Sequence, residues 1–260
     1  MARRKARRTQ AAPASSPAAQ FKDELEVFRK DVETALQFLY GYLTVHAVAR
    51  DTKAVYQSIN DSLLFWNTNL GALQTSAFIA LGRIFDQDST HNVDRLLRAA
   101  QDHRDIFSKQ ALRLRKQEGA RLTSAEVDQY VKTAGAATAT DVRRWKSQVK
   151  SLRKIYEARY RTLRHEVFAH NEVADASTLF AQTNIRELQR LLLKLRALYE
   201  ELWQLFFNGR KRRYRIGRYS IHMMRTRPSP KMNGRPVHER MVYETERLLK
   251  NNARPVSEQR

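Results

Sequence analysis

Residues 141–170 read DVRRWKSQVKSLRKIYEARYRTLRHEVFAH, and this stretch decides the fold. At about 100° per residue, Trp145, Val149, Leu152, Tyr156, Tyr160, Leu163, Val167 and His170 share one side. Arg143, Lys146, Lys150, Arg153, Lys154, Arg161 and Arg164 share the opposite side. A helical period sustained over this length predicts one long amphipathic helix with a core face and a cationic face.

The flanking sequence repeats the pattern. Phe21, Leu25, Phe28, Val32, Ala35, Leu36, Leu39 and Leu43 predict a helix over 21–49, and a second apolar series from Val55 to Ile84 predicts one over 51–85, capped by Asp51. QDSTHN then breaks the period. Shorter helices are expected over 92–118 and 124–134, the latter announced by Thr123-Ser124 with Glu126 and Asp128 in its first turn. Over 176–208, Ile185, Leu188, Leu192, Leu195, Leu198, Leu202, Leu205 and Phe206 recur at near-heptad spacing and need a partner of similar length. Residues 237–251 could add a short terminal helix. The fold expected is an all-α antiparallel bundle with basic, partly disordered N- and C-terminal extensions.

Composition agrees. With 8 Gly and 6 Pro in 260 residues, the chain is poor in turn formers. It has no cysteine, so disulfides and thiolate metal sites are excluded, and no apolar run approaches the roughly 18 residues that would cross a bilayer. A cytoplasmic protein with no membrane partner is expected. The net charge is +21, of which 16 lies in residues 1–20 and 209–260. The organisation expected is a disordered basic arm over 1–20, a helical domain over 21–208 and a basic extension over 209–260. The first arm, rich in Arg, Ser and Ala, reads as a flexible tail or as an organelle transit peptide. The other interleaves Tyr214, Tyr219 and Ile221 with cations, which suits single-stranded nucleic acid or a loosely attached tail. Such charge attracts polyanions.

Residues 161–171, RTLRHEVFAHN, carry the candidate chemistry. His165 and His170 are five residues apart, about 140° around a helix, so they chelate poorly and no metal or other cofactor is expected. Neither a Gly-x-Ser-x-Gly elbow nor a Gly-x-x-x-x-Gly-Lys loop occurs. Arg164 and His170 need neither. RNA supplies its own 2′-hydroxyl nucleophile, an imidazole moves protons near neutral pH, and a guanidinium fork fits phosphate oxygens. Arg164 and His170 lie about 120° apart on an ideal helix, so a helix end at Asn171 or a second subunit is needed to bring them to one atom.

Arg164-His165-x-x-x-x-His170 resembles the signature of HEPN (higher eukaryote and prokaryote nucleotide-binding) domains. LGRIFDQDSTHNVDRLLRAA over 81–100 and FAHNE over 168–172 look like the abortive-infection U-type branch, and the likeness covers about residues 25–205. What it implies is an all-α homodimer in which two Arg/His pairs meet in a cleft, a metal-independent endoribonuclease leaving a cyclic phosphate. It also implies a place in phage defence or a toxin–antitoxin system, with an antitoxin protein as a further partner. Arg164 would hold the scissile phosphate and His170 would transfer protons. Some relatives carry a modifiable tyrosine two residues past the histidine; here that position is Glu172. Glu166 could orient His170 or simply pair with Arg161 or Arg164, and His165 could contact RNA or face solvent. The cationic stripe calls for RNA or for acidic partners such as Asp23, Glu24 and Glu26. A non-catalytic helical RNA-binding or partner-binding protein, using the tails and the stripe, is the alternative reading.

Overall fold

A computed structural model describes residues 16–119, 122–163, 184–227 and 234–253. They form helices joined by short turns, with no strand among the described residues. The first helix, α1 (Pro17–Asp51), starts where Ser16 accepts the Ala19 N–H at 3.2 Å and proline occupies the first turn, where its missing N–H costs nothing. It buries the predicted stripe from Phe21 to Leu39.

The helix expected over 51–85 is two helices, α2 (Lys53–Asp61) and α3 (Leu63–Phe85). The apolar period runs across the join, but Asn60, Asp61 and Ser62 compete locally for backbone hydrogen bonds, and Ser62 leaves helical geometry at φ −130°, ψ 46°. Asp51 does not cap a helix start. It ends α1, and its carboxylate accepts from Arg225 at 2.5 Å and Arg50 at 3.1 Å.

The stretch 92–118 is likewise divided, into α4 (Val93–Asp102), a 3-10 turn over Arg104–Phe107 and α5 (Lys109–Glu118). Next comes α6 (Ser124–Lys132), whose Thr123–Glu126 capping box is the one expected. A second box, Thr138 with Asp141, starts α7 (Ala139–Arg159). A further helical turn, α8 (Arg161–Leu163), follows. The remaining helices are α9 (Ile185–Asn208), α10 (Ile221–Thr226) and α11 (Val237–Asn252).

Antiparallel packing is fixed by pairs at both ends. Phe21 of α1 lies 5.0 Å from Phe206 of α9 and 5.1 Å from Phe107, in tilted and edge-on contacts that favour aromatic association. Arg83 of α3 reaches Asp31 of α1 at 2.9 Å, and Phe85 stacks on Tyr156 of α7 at 5.0 Å. Arg144 of α7 makes a forked ion pair with Glu201 of α9. At the end of α9, Gly209 turns left-handed at φ +58°; a Cβ there would sit 2.6 Å from Leu112 and 2.7 Å from Ala134, so only glycine fits.

Residues 210–220 are not a loose appendage. They run back along α9 as an extended strap until the Tyr219 carbonyl accepts from Tyr40 Oη at 3.1 Å and Gln189 Nε2 at 2.9 Å. Beyond the strap, Met224 of α10 and Val242 of α11 join the main core. The compositional boundary at residue 208 is therefore not a packing boundary, because α11 carries an apolar stripe that α1 buries. No helix among the described residues is long and apolar enough to cross a membrane.

Candidate nucleic-acid interface

The apolar side of α7 is as the period predicts: Trp145, Val149, Leu152, Tyr156 and Tyr160 are all buried. Its cationic side faces α4 across an open groove of about 630 Å3. Arg95 and Arg98 of α4 line one wall and Lys146, Lys150, Arg153 and Lys154 of α7 the other, with Asp94 and Glu157 as the acidic members. The helices run antiparallel, since Arg153 pairs with Asp94 at one end and Lys146 bonds Gln101 at the other. Arg153 is thereby spent on a carboxylate, while the rest of the groove keeps a large cationic excess.

Asn92 builds the start of this groove. Its side-chain oxygen accepts the N–H groups of Asp94 and Arg95, both at 3.0 Å, while its amide donates to the carbonyls of Ser89 at 3.1 Å and Gln87 at 3.4 Å. One side chain thus closes the QDSTHN turn and caps α4, fixing where Arg95 emerges. Two of the acids named beside the stripe are engaged elsewhere: Glu26 holds Arg29 at 2.6 Å, and Glu24 lies 3.1 Å from His91.

Four of the six predicted RNA-contacting residues line the groove together. Arg143 and Arg161 do not; both are exposed, and Arg143 reaches Thr140 at 3.3 Å. Arg95 and Arg98 escaped the sequence reading. Their signal was an i,i+3 pair of cations on the side of α4 opposite Val93, Leu96, Leu97 and Ala100.

The helix expected to continue to residue 170 stops as α7 at Arg159, where the Tyr160 N–H still donates to Tyr156 at 2.8 Å. Arg164, His165, Glu166, His170 and Asn171 lie outside the described residues. What is described is how their segment is anchored. The Tyr160 hydroxyl donates to the Asn184 carbonyl at 3.3 Å, with the Glu187 carboxylate 3.4 Å away, and Arg159 pairs with Glu187 at 3.3 Å. Burial, then the neighbouring Glu187, push the Tyr160 phenol above its ordinary range, so it keeps its proton and donates. Tyr160 and Asn184, which flank that segment in the sequence, therefore meet at one end of the bundle, next to the Glu157 end of the groove. No group of three or more His, Asp or Glu that could hold a metal ion occurs among the described residues.

An all-α antiparallel bundle, together with the Arg-x₅-His spacing that follows its cationic helix in the sequence, is what a HEPN-type domain calls for. A model of the AbiU2 HEPN family matches residues 18–223, and the chain belongs to that family, a HEPN-domain protein of the abortive-infection type. No curated protein matches the chain, nor does any solved structure.

Proposed function

We propose that this protein is a metal-independent endoribonuclease acting in phage defence or a toxin–antitoxin system. The observation that carries the reading is the α4–α7 groove, whose cations lead along α7 to the segment bearing Arg164 and His170. RNA lying in the groove meets Lys146, Lys150, Lys154, Arg95 and Arg98 through its phosphates and is delivered to that segment. There Arg164 binds the scissile phosphate and stabilises the charge that builds on it. His170 takes the proton from the 2′-hydroxyl or gives one to the departing 5′-oxygen. The 2′-oxygen forms its bond to phosphorus as the bond to the 5′-oxygen breaks, leaving a 2′,3′-cyclic phosphate.

The homodimer belongs to the same proposal. Phe78 lies 6.0 Å from Tyr160 and Phe85 stacks on Tyr156, so α3 runs antiparallel to α7. From Phe78 back to Leu64 the helix extends about 20 Å in the direction in which α7 ends. There it exposes Leu63, Leu64 and Phe65, with Leu64 83% exposed. Burying these side chains between two copies would remove apolar surface from water and draw the two segments together.

The test is cleavage of RNA by purified protein carrying Arg164→Ala or His170→Ala. Each variant should remain a dimer and lose cleavage; undiminished cutting by either refutes its assigned role.

A further inference from the structure

A second cleft, of about 730 Å3, lies between the C-terminal half of α1, the first turn of α9 and α10. We infer that this cleft is a binding site for one nucleotide of single-stranded RNA, taking the base against Tyr219 and His222 and the phosphate on Arg186.

The chemistry of the lining supports this ligand. Tyr219 and the imidazoles of His46 and His222 offer flat π-faces, and Leu43, Ile221 and Met223 add apolar surface suited to a base. Arg50, Arg186 and Arg225 supply positive charge, and among the described residues no Asp or Glu lines the cleft. Arg225 is already held from behind by Asp51 at 2.5 Å and Glu246 at 3.1 Å, and Arg50 pairs with Asp51 at 3.1 Å, which makes both scaffolds for the wall; Arg186 is exposed. A cleft of this size matches a small ligand.

The floor is built to stay in place. The Tyr219 carbonyl accepts from both Tyr40 and Gln189, so the strap cannot slide along α9. The Arg190 guanidinium lies 5.4 Å from the Tyr219 ring centre, and its charge and hydrogen bond hold that phenol below its ordinary range. His46 is braced edge-on by Tyr42 at 4.6 Å.

Position gives the cleft its purpose. Ile185 and Arg186 of its wall directly follow Asn184, whose carbonyl receives the Tyr160 hydroxyl. The Glu157 end of the α4–α7 groove and this cleft therefore both lie beside the Tyr160–Asn184 junction. An RNA strand entering by one would leave by the other. This placement rests on the nuclease reading, whereas the cleft's affinity for a nucleotide does not.

The test uses full-length His170→Ala protein and single-stranded RNA oligonucleotides bearing one 4-thiouridine, irradiated and mapped by mass spectrometry. Cross-links to the peptide containing Tyr219 and His222, reduced about tenfold or more by Arg186→Glu, are expected. Cross-links confined to α4 and α7, unchanged by Arg186→Glu, overturn the cleft. In a second arm, Arg186→Glu in the otherwise natural chain should raise KM for long RNA about tenfold and leave kcat and short RNA unaffected. Equal KM values on long RNA overturn the inference. Failure of the natural chain to cut any RNA overturns the nuclease reading alone, because the cross-links are read on uncleaved RNA.

Discussion

The hydroxyl of Tyr160 meets the backbone carbonyl of Asn184 at 3.3 Å, so two positions separated by 23 residues of sequence are joined at one point of the bundle. Tyr160 is fully buried and its ring packs against Phe78. Tyr160→Phe keeps the ring and removes only the donor. It should cost about 1 kcal/mol in urea unfolding and speed amide exchange in the first turn of α9. No loss of stability, together with unchanged exchange, would show that the bond does not hold the junction.

Asp94 sets the charge of the groove. Asp94→Asn removes the partner of Arg153 and leaves that guanidinium to a polyanion, so affinity for single-stranded RNA should rise. Lys150→Ala with Lys154→Ala should lower affinity and reduce the salt slope of log Kd by about 1.4, since each phosphate contact on a single strand contributes about 0.7. Filter binding at several salt concentrations measures both; a slope untouched by the double alanine would remove the groove from the RNA path.

The groove also shows how far the sequence could be read. The apolar face of α7 was legible because Trp145 to Tyr160 keep a helical period, and the Thr123–Glu126 box was legible because capping is local. The cationic stripe was legible as a stripe, yet its working part was not. At 10 residues against 21, α4 is about 15 Å long and α7 about 30 Å, so α4 covers Lys146 to Lys154 and leaves Arg143 and Arg161 outside. Arg95 and Arg98 become part of the same groove only through tertiary pairing, which no single-helix period encodes. The break at Ser62 was hidden because the apolar period continues across it. The C-terminal cleft was hidden for another reason: Tyr219 and His222 sit in a basic run whose composition resembles a tail.

His238, in that same run, is fully buried. Its Nε2–H donates to the Arg218 carbonyl at 3.0 Å, its ring lies 5.0 Å from that of Tyr40, and burial followed by the charge of Arg196 pushes it down to about 4. In the unfolded chain it titrates near 6.5, so between pH 6.5 and 4 the unfolded state holds the extra proton. Its stabilisation is complete above pH 6.5 and is lost as pH falls towards 4, by about 2–3 kcal/mol at pH 4.5. Urea unfolding at pH 7 and 4.5 should show this loss, and His238→Gln should show less of it. Equal pH sensitivity in the two proteins would place the effect elsewhere.

Leu64 tests the subunit arrangement. Leu64→Glu puts a charge on the exposed apolar end of α3, where it should shift sedimentation from dimer to monomer and lower cleavage in proportion. A sharper result comes from mixing two inactive proteins, Arg164→Ala and His170→Ala. If Arg164 of one subunit serves His170 of the other, exchange of subunits should restore about a quarter of the natural activity, because half of the dimers are mixed and each regains one of two sites. No recovery would confine each site to a single chain.

The most direct measurement is end-group analysis of RNA incubated with the natural protein in EDTA. The account predicts 2′,3′-cyclic phosphate ends that are absent with His170→Ala protein. Intact RNA, or cleavage that appears only when a divalent metal is restored, would contradict it.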